Sequence, residues 1–380
     1  MSKLNNEKAL CNQYQTLAFS EGIPTAFFIE SPLQVLCVKE AIAEFKITDY
    51  IVVLVLERDN VRNTQTLKMV EEFNMPHQIR YREDNPISKN LHYTSLQSDI
   101  LRKYDRVMVG EYMDFCMLSL CGQYASNHSV LVYFDDGVES IPILENHKIS
   151  QAPYKVFLKK MLGKKYGEDV LRERISNHWK MVGLYDGNFY YTIYADIDSP
   201  KFIIYKNSMS HLRVLKPKPE EIVLVIGTFV LSYEPAWGIY LQEFEHILGK
   251  KLLEVRRKYP TQHIVYIPHG RDTNPMIPKI CDSLDIEYRR IPSAVEYYVL
   301  KNSLNVKAVY GFNSSALLTL KLLTNAVATS WCIVNSFVTY NYNNKEIARY
   351  YASHEIKIDY IPTGVLFITR LFRYLKNKFR

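Results

Sequence analysis

Continuous apolar runs that alternate with helical patterns constrain the fold of this chain most strongly. Residues 25–30, 50–57 and 222–227 are such runs, and amphipathic stretches follow the first at 32–45 and the third at 240–259. Strands that are apolar on both faces are typical of parallel sheets covered by helices, whereas half-exposed strands alternate apolar and polar residues. The pattern therefore predicts an α/β fold with parallel sheets.

The other predicted elements continue this order along the chain. Strands are predicted at 106–111, 130–134, 189–197, 201–206, 263–268, 286–291 and 306–311, and helices at 63–73, 155–175, 276–284, 295–302 and from Ser314 onwards. The segment 213–221, in which two prolines lie among charged residues, is the best linker candidate. We therefore predict two Rossmann-like domains with a cleft between them, at 1–215 and 220–362, followed by a basic helix at 363–380.

Composition limits the class of protein. The 380 residues are 47% hydrophobic, which suffices for ordinary buried cores, and 29 tyrosines argue against extended disorder. The formal charge of +7 suits a protein that works near nucleotides or anionic membranes and does not by itself indicate DNA binding. The cysteines are scattered without a CxxC motif, which indicates reduced thiols. No signal-peptide core or membrane-spanning apolar run occurs, so we expect a cytoplasmic protein.

Two adjacent carboxylates, Asp135 and Asp136, end a predicted strand of the first domain and precede Gly137. Ligands of open α/β sheets bind at the carboxyl ends of the strands, where a carboxylate is able to act as a general base. The alternative is a turn that merely ends the strand, because Asp-Gly is common in turns. Successive strand residues point to opposite faces, so one carboxylate should face the site while the other supports the loop. No clear third ligand accompanies the pair, and no metal is assigned.

A histidine follows a predicted strand of the second domain. His269 comes directly after the apolar run at 263–268 and precedes Gly270 and Arg271. A histidine at a strand end is able to protonate or hydrogen-bond a leaving phosphate, and Arg271 adds positive charge. The alternative is a structural or surface histidine, which is the more common role of an isolated one. The strand-end position favours His269 over the other histidines as a functional residue.

Two serines open the helix after the strand at 306–311. The amides at the start of a helix, together with the hydroxyls of Ser314 and Ser315, form a suitable phosphate site. The alternative is structural, with Ser314 as an N-cap and Ser315 as a first-turn residue.

In this order and at these separations, the acidic pair with its glycine, the histidine and the serine pair resemble the motifs of bacterial sialyltransferases. These include the lipooligosaccharide sialyltransferases of glycosyltransferase family 52 and the related capsular polysialyltransferases. The segment FFIESPLQVLCVKEAI is similar to their first strand and helix, and residues 222–272 resemble the start of their donor domain. The resemblance covers most of the chain.

The resemblance implies a GT-B fold and an inverting, metal-independent transfer of sialic acid from CMP-sialic acid, without a further cofactor. It implies that Asp135 or Asp136 deprotonates the acceptor hydroxyl and that His269 acts as an acid towards the departing phosphate. The donor-binding residues that it implies are Gly137, Gly270, Arg271, Ser314 and Ser315. The family usually has His-Pro where this chain has His269 followed by Gly270. Another CMP-activated acid sugar, pseudaminic acid or Kdo, is therefore an alternative donor.

The C-terminal segment 365–380 carries five basic residues and no acid, interleaved with apolar residues at helical spacing. This pattern predicts a helix that either packs on the core or binds anionic lipid. With a lipid-linked surface glycan of lipooligosaccharide, O-antigen or capsule as the acceptor, we expect a peripheral protein on the inner face of a bacterial plasma membrane. The rival from another class is a non-catalytic nucleotide or nucleic-acid binding protein. It is disfavoured because compact basic motifs with interleaved aromatics do not occur elsewhere in the sequence.

Overall fold

The computed structural model describes most of the chain. The described residues are 2–57, 61–82, 102–110, 112, 114–135, 137–145, 168–230, 233–234, 239–335 and 342–363. The chain divides into two compact units, Met1–Leu212 and Arg213–Arg380.

A parallel sheet forms the centre of the first unit. Its strands are β1 (Thr25–Ile29), β2 (Tyr50–Leu56), β3 (His77–Tyr81), β4 (Tyr104–Val109), β5 (Ala125–Phe134), β6 (Leu184–Thr192) and β7 (Ile203–Lys206). Among the described residues, seven strands lie in the order β3-β2-β1-β4-β5-β6-β7, and each neighbouring pair is parallel. The order reverses between β1 and β4, which is the type of switch point where α/β sheets bind ligands.

Helices connect the strands of the first unit. They are α1 (Ser2–Phe19), α2 (Pro32–Glu44), α3 (Val61–Glu72), α4 (Phe115–Tyr124), α5 (Ser140–Leu144) and α6 (Glu168–Val182), with short 3₁₀ helices at Gly137–Glu139 and Ser210–Leu212. The start of α2 shows how the sequence sets a helix end. Ser31 Oγ accepts from Gln34 N at 3.4 Å, and Gln34 Oε1 accepts from Ser31 N at 3.1 Å. This reciprocal capping box, with Pro32 at the first helical position, fixes the turn after β1.

A buried arginine joins α1 to the sheet of the first unit. Arg106 on β4 is fully buried, and its Nη1 donates to Ala18 O at 3.0 Å and Ser20 O at 3.1 Å. Its Nε donates to Thr25 Oγ1 at 3.0 Å, and its guanidinium lies 5.0 Å from the ring centre of Phe45. Burial lowers the pKa of Arg106 to about 9. The carbonyls at the end of α1 therefore stabilise a charge that burial alone disfavours.

The second unit repeats the parallel α/β pattern. Its strands are β8 (Glu221–Ile226), β9 (Tyr233–Glu234), β10 (Ile239–Tyr240), β11 (His263–Ile267), β12 (Glu287–Tyr288), β13 (Asn305–Gly311), β14 (Val327–Asn335) and β15 (Lys357–Thr363). Its helices are α7 (Leu241–Lys258), α8 (Met276–Asp282), α9 (Val295–Asn302), α10 (Ser315–Thr324) and α11 (Tyr342–Ser353). The described part of the main sheet has the order β12-β11-β8-β13-β14-β15 with parallel pairs, while β9 and β10 form a small antiparallel pair. Counted along the chain, the main order is 3-2-1-4-5-6, the Rossmann arrangement.

The predicted α/β fold with two Rossmann-like parallel sheets is confirmed. The strand predicted at 286–291 is shorter and covers Glu287–Tyr288, and the helix predicted at 155–175 overlaps α6 only from Glu168. The rest of that helix lies outside the described residues, as does the C-terminal segment 364–380. Within the described ranges, every helix is too short or too polar to span a bilayer.

Candidate functional site

Three loops leave the main sheet of the second unit side by side. Ile226 on the central strand β8 is in register with Ile267 on β11 and with Gly311 on β13. The chain continues from these residues to Phe229, His269 and Ser314, so the predicted histidine and serine motifs share one edge of this sheet. Because β11 and β13 flank β8, the two motifs leave strands whose axes are about 10 Å apart.

The geometry of His269 fixes how its imidazole is used. Its Nδ1 accepts a hydrogen bond from the backbone N–H of Arg271 at 3.2 Å, and the residue is exposed. Because a nitrogen that accepts a hydrogen bond carries no proton, the neutral ring holds its proton on Nε2. The loop therefore presents an Nε2–H donor at an exposed position. An imidazolium, which has protons on both nitrogens, is unable to accept this bond.

An aromatic ring lies next to this histidine. The ring of Phe229 is 6.1 Å from the ring of His269, centre to centre, with 29° between the planes. The guanidinium carbon of Arg271 lies 5.0 Å from the centre of the same Phe229 ring. Arg271 is exposed, so its charge faces solvent while its guanidinium contacts the ring. Phe229, which the sequence analysis did not select, thereby helps to position both basic side chains.

The serine pair forms a regular helix start. Ser314 is the N-cap of α10, in extended conformation, and its Oγ accepts from Ala316 N at 3.3 Å. Its carbonyl accepts from the hydroxyl of Tyr351 at 2.8 Å, which ties the turn to α11. Ser315 is the first residue of α10. Ala316 N and Leu317 N already donate to Ser314, so what this edge offers an anion is the positive end of the helix dipole and the serine hydroxyls.

A buried polar layer lies beneath the histidine loop. A Cβ on Gly227 would lie 2.6 Å from the hydroxyl of Tyr266 and 2.9 Å from the Cα of Pro268, so only glycine permits this close approach. Asp272, which is 4% exposed, donates its N–H to the carbonyl of His269 at 2.9 Å. Burial raises the pKa of the Asp272 carboxyl, although the N–H of Asn274 and the charge of Arg290 oppose that rise.

Asp272 and Tyr266 each have one buried polar atom with an unusual environment. Neither Asp272 Oδ2 nor Tyr266 Oη has a hydrogen-bond partner among the described residues. Two buried polar atoms of this kind are the usual partners of an ordered water. Neither residue was predicted to be functional. The one possible signal in the sequence was the position of Asp272, three residues after His269.

Asp135 of the first unit is a buried structural residue. It follows β5 directly and is 0% exposed. Its Oδ1 accepts from Thr192 Oγ1 at 2.6 Å and its Oδ2 accepts from Ile193 N at 2.8 Å, both at the end of the neighbouring strand β6. Thr192 Oγ1 in turn accepts from Tyr194 N at 3.0 Å. The carboxylate thus joins the ends of β5 and β6 and supports the loop.

The structure describes only part of the acidic motif. Asp136 lies outside the described residues, and Gly137 begins the 3₁₀ helix with φ of +79°, a conformation that favours glycine. Asp135 and Gly137 lie at the carboxyl end of β5, at the edge where α/β sheets bind ligands. The acidic motif belongs to the first unit and the histidine and serine motifs belong to the second.

Sequence reasoning missed an ion-pair cluster at the same edge of the first sheet. Arg82, after β3, binds both Glu30, after β1, and Asp114, after β4. Asp114 Oδ1 also accepts from Met117 N at 3.1 Å and so caps α4. Glu30 is the last residue of one predicted strand and Asp114 lies three residues after another, and those positions were the available signal. The cluster places one arginine between two carboxylates and orders three strand ends.

Comparison with known proteins gives a loose likeness to glycosyltransferases. No protein-family model and no curated protein matches the sequence. The chain is similar to a sialyltransferase of Photobacterium damselae, solved as its GT-B domain, with 11% identity, 89% of this chain and 100% of that chain covered, and a TM-score of 0.43. It is also similar to the 2,6-sialyltransferase of Photobacterium sp. JT-ISH-224 in a ternary complex with CMP and lactose. The identity is 10%, the match covers 88% of this chain and 78% of that chain, and the TM-score is 0.46.

A third similar structure is the MurG protein of Acinetobacter baumannii, with 9% identity, 93% of this chain and 91% of that chain covered, and a TM-score of 0.39. These values are too low to carry an activity from any of the three proteins to this chain. The functional conclusion therefore rests on the strand-end residues of this chain and their chemistry.

Proposed function

We propose that this protein is an inverting glycosyltransferase of GT-B type that transfers an acid sugar from a CMP-activated donor, with CMP-sialic acid as the first candidate. The observation that carries the proposal is the edge of the second sheet. There an Nε2–H of His269, the charge of Arg271 and the start of α10 at Ser314 follow neighbouring strands. A hydrogen-bond donor, a cation and a helix start are together suited to a leaving phosphate.

In the proposed reaction, the acceptor oxygen forms a bond to the anomeric carbon of the sugar while the bond from that carbon to the phosphate oxygen breaks. The electron pair of the broken bond leaves with the CMP phosphate, and the proton of the acceptor hydroxyl passes to a carboxylate base. His269 donates its Nε2–H to the phosphate oxygen on which negative charge develops, and Arg271 adds a fixed positive charge. Ser314 and Ser315 hold the phosphate through the first turn of α10.

We assign the base to Asp136 in this proposal. Asp135 is fully buried and binds Thr192 and Ile193, so it is committed to the link between two strand ends. A general base has to come within hydrogen-bond reach of the acceptor hydroxyl. Asp136 is the adjacent carboxylate, and neighbouring residues of an extended chain point to opposite sides.

Release of CMP from a panel of donors tests the proposal directly. The full chain, incubated with a β-galactoside such as lactose, should release CMP from CMP-sialic acid and form a sialylated product visible by mass spectrometry. CMP-Kdo and CMP-pseudaminic acid in the same assay identify an alternative donor. Saturable CMP binding without turnover of any donor would favour the non-catalytic nucleotide-binding alternative.

Variants of His269 test its role with a matched control in the same unit. His269→Ala should lower turnover about a hundredfold or more, the usual contribution of such a group. His246 on α7 is exposed in the same unit, so His246→Ala should leave turnover unchanged. Equal turnover in wild type and His269→Ala would remove this histidine from the reaction.

Variants of the serines separate phosphate binding from helix capping. Ser314→Asp retains an N-cap side chain but places a negative charge at the anion position, so CMP affinity should fall while the fold keeps its stability. Ser315→Ala should weaken CMP binding by about 1.5–3 kcal/mol, the range for hydrogen bonds to charged groups. If calorimetry shows the wild-type CMP affinity in both variants, the two serines have a purely structural role.

A lipid-linked surface glycan is the acceptor that we propose, with the C-terminal segment 364–380 as the membrane contact. Its five basic residues among apolar ones support this part of the proposal.

A further inference from the structure

Two carboxylates and one imidazole converge in the first unit, away from the strand-end residues of the proposed reaction. Glu40 and Glu44 lie one helical turn apart on α2, and His211 lies in the 3₁₀ helix Ser210–Leu212. One ligand atom from each of the three side chains lies within 4.8 Å of the other two. His211 Nε2 is 3.1 Å from Glu44 Oε2. Two neighbouring residues of α2 and one that is distant in sequence thus present N and O donors to one small volume.

Neighbouring groups orient these donors. The N–H of His211 lies 3.1 Å from each oxygen of Glu40, and Ser210 Oγ donates to Glu40 Oε1 at 3.4 Å. The hydroxyl of Tyr205 donates to Glu44 Oε1 at 3.1 Å, which leaves Oε2 directed at the imidazole. Hydrogen bonds of this kind hold the ligands of established metal sites in position. Glu40 is itself fully buried, whereas His211 is exposed, so the cluster extends from the core to solvent.

A buried hydroxyl supplies an independent observation. Tyr191 is 1% exposed, and its Oη has no hydrogen-bond partner among the described residues. Its ring lies 6.1 Å from the ring of Tyr205, whose hydroxyl binds Glu44, so the phenol belongs to the surroundings of the cluster. A buried phenol without a partner is unfavourable, because its hydroxyl has lost its hydrogen bonds to water. A water held between this hydroxyl and an ion at the cluster would satisfy it.

We propose that Glu40, Glu44 and His211 bind one divalent transition metal ion of the zinc class. Imidazole and carboxylate ligands suit zinc, which takes N and O donors at about 2.0–2.2 Å in tetrahedral geometry. Donors around such an ion are roughly 3.4 Å apart, close to the 3.1 Å between His211 Nε2 and Glu44 Oε2. The third donor, on Glu40, lies within 4.8 Å of the other two, and a water would complete a tetrahedral set of four.

The bound ion would have a structural consequence within the first unit. It would link α2 to the segment Ser210–Leu212, at the point where the first unit ends. The ion is not part of the proposed transfer reaction, and the inference does not depend on that reaction.

Titration of the chelator-treated full chain with Zn²⁺ tests the site, with heat change and thermal unfolding as readouts. The wild type should bind one equivalent and unfold at a higher temperature with zinc. Glu44→Gln and His211→Gln should each bind zinc at least about tenfold more weakly. Cobalt(II) should give the visible ligand-field absorption of a tetrahedral site in the wild type and lose it in both variants.

A matched control is available in the second unit. His263 Nε2 lies 2.7 Å from Glu287 Oε2 in a surface pair, so His263→Gln removes a similar contact elsewhere and should leave zinc binding unchanged. Circular dichroism without metal confirms that each variant folds, and Glu44→Gln retains an acceptor for Tyr205. Absence of saturable zinc binding by the wild type, or wild-type affinity in both variants, would overturn the metal site and leave a hydrogen-bonded cluster.

Discussion

Replacing Asp135 should destabilise the first unit rather than remove a reacting group. The carboxylate is 0% exposed and accepts from Thr192 Oγ1 at 2.6 Å and from Ile193 N at 2.8 Å. Hydrogen bonds to charged groups contribute about 1.5–3 kcal/mol each, so Asp135→Ala should lower the free energy of unfolding by about 3–6 kcal/mol. With an m value of about 3 kcal/mol/M for a unit of this size, the urea midpoint should fall by about 1–2 M.

Asp135→Asn is the more informative variant. Its amide oxygen is able to accept from the N–H of Ile193 while its NH₂ group donates to Thr192 Oγ1, so part of the link survives. We expect a loss of about 1–3 kcal/mol, and turnover near the wild-type value without urea. Thr192→Val is the matched control, because it removes the hydroxyl and keeps the carboxylate. The double variant should lose less than the sum of the two single losses, since the residues share one hydrogen bond.

Urea unfolding followed by circular dichroism, together with CMP release, decides the role of Asp135. Wild-type midpoints for both Asp135→Ala and Asp135→Asn would refute the structural assignment. A hundredfold loss of turnover in Asp135→Asn with an unchanged midpoint would make Asp135 the base in place of Asp136.

Three further predictions concern burial, close packing and the C-terminus. Glu296 is buried, and desolvation raises the pKa of its carboxyl, although the hydrogen bond from Thr319 lowers it. The contribution of Glu296 to stability is therefore complete below its pKa in the unfolded chain and is lost as the pH rises through its pKa in the folded protein. Glu296→Gln should remove this pH dependence, and parallel curves of melting temperature against pH for the two proteins would contradict it. Gly227→Ala should destabilise by roughly 1–3 kcal/mol through contact with Tyr266 Oη and Pro268, with partial recovery in a Tyr266→Phe background, as measured by thermal unfolding. A chain truncated after Thr369 should pellet less with anionic liposomes, because basic residues near such a surface contribute about 1 kcal/mol each. It should still transfer sugar to a soluble acceptor. Equal pelleting of the full and truncated chains would contradict the membrane contact.

Sequence patterns predicted most of the strands that are buried on both faces, although the buried strand β14 was not predicted. The apolar runs at β2 and β8 correspond closely to the observed strands, because strands inside a parallel sheet require apolar residues on both sides. The edge strand β3, with the sequence HQIRY, was missed because most of its residues are partly exposed and polar. Helix α1 was missed because its described apolar residues do not form a clear stripe, and its anchor Arg106 lies far away in sequence.

The candidate site was only partly predictable for a related reason. The positions of His269 and Ser314 follow from the ends of recognisable strands, so the sequence placed them at one sheet edge. The contact of Phe229 with His269 and Arg271 depends on a loop conformation that no periodicity encodes. The cluster of Glu40, Glu44 and His211 likewise joins a helix to a segment about 170 residues further along the chain, as the separation between Glu40 and His211 shows.

Burial provides a physical rule for sorting the carboxylates of this fold. Asp135 and Glu296 are both buried, and each accepts from a hydroxyl of a neighbouring segment. A carboxylate held in this way has its lone pairs committed and would leave donors unsatisfied if it took up a proton from a substrate. A base needs an accessible oxygen instead. Both oxygens of Asp135 bind the end of β6, so the adjacent carboxylate, Asp136, is the one that we propose as the base.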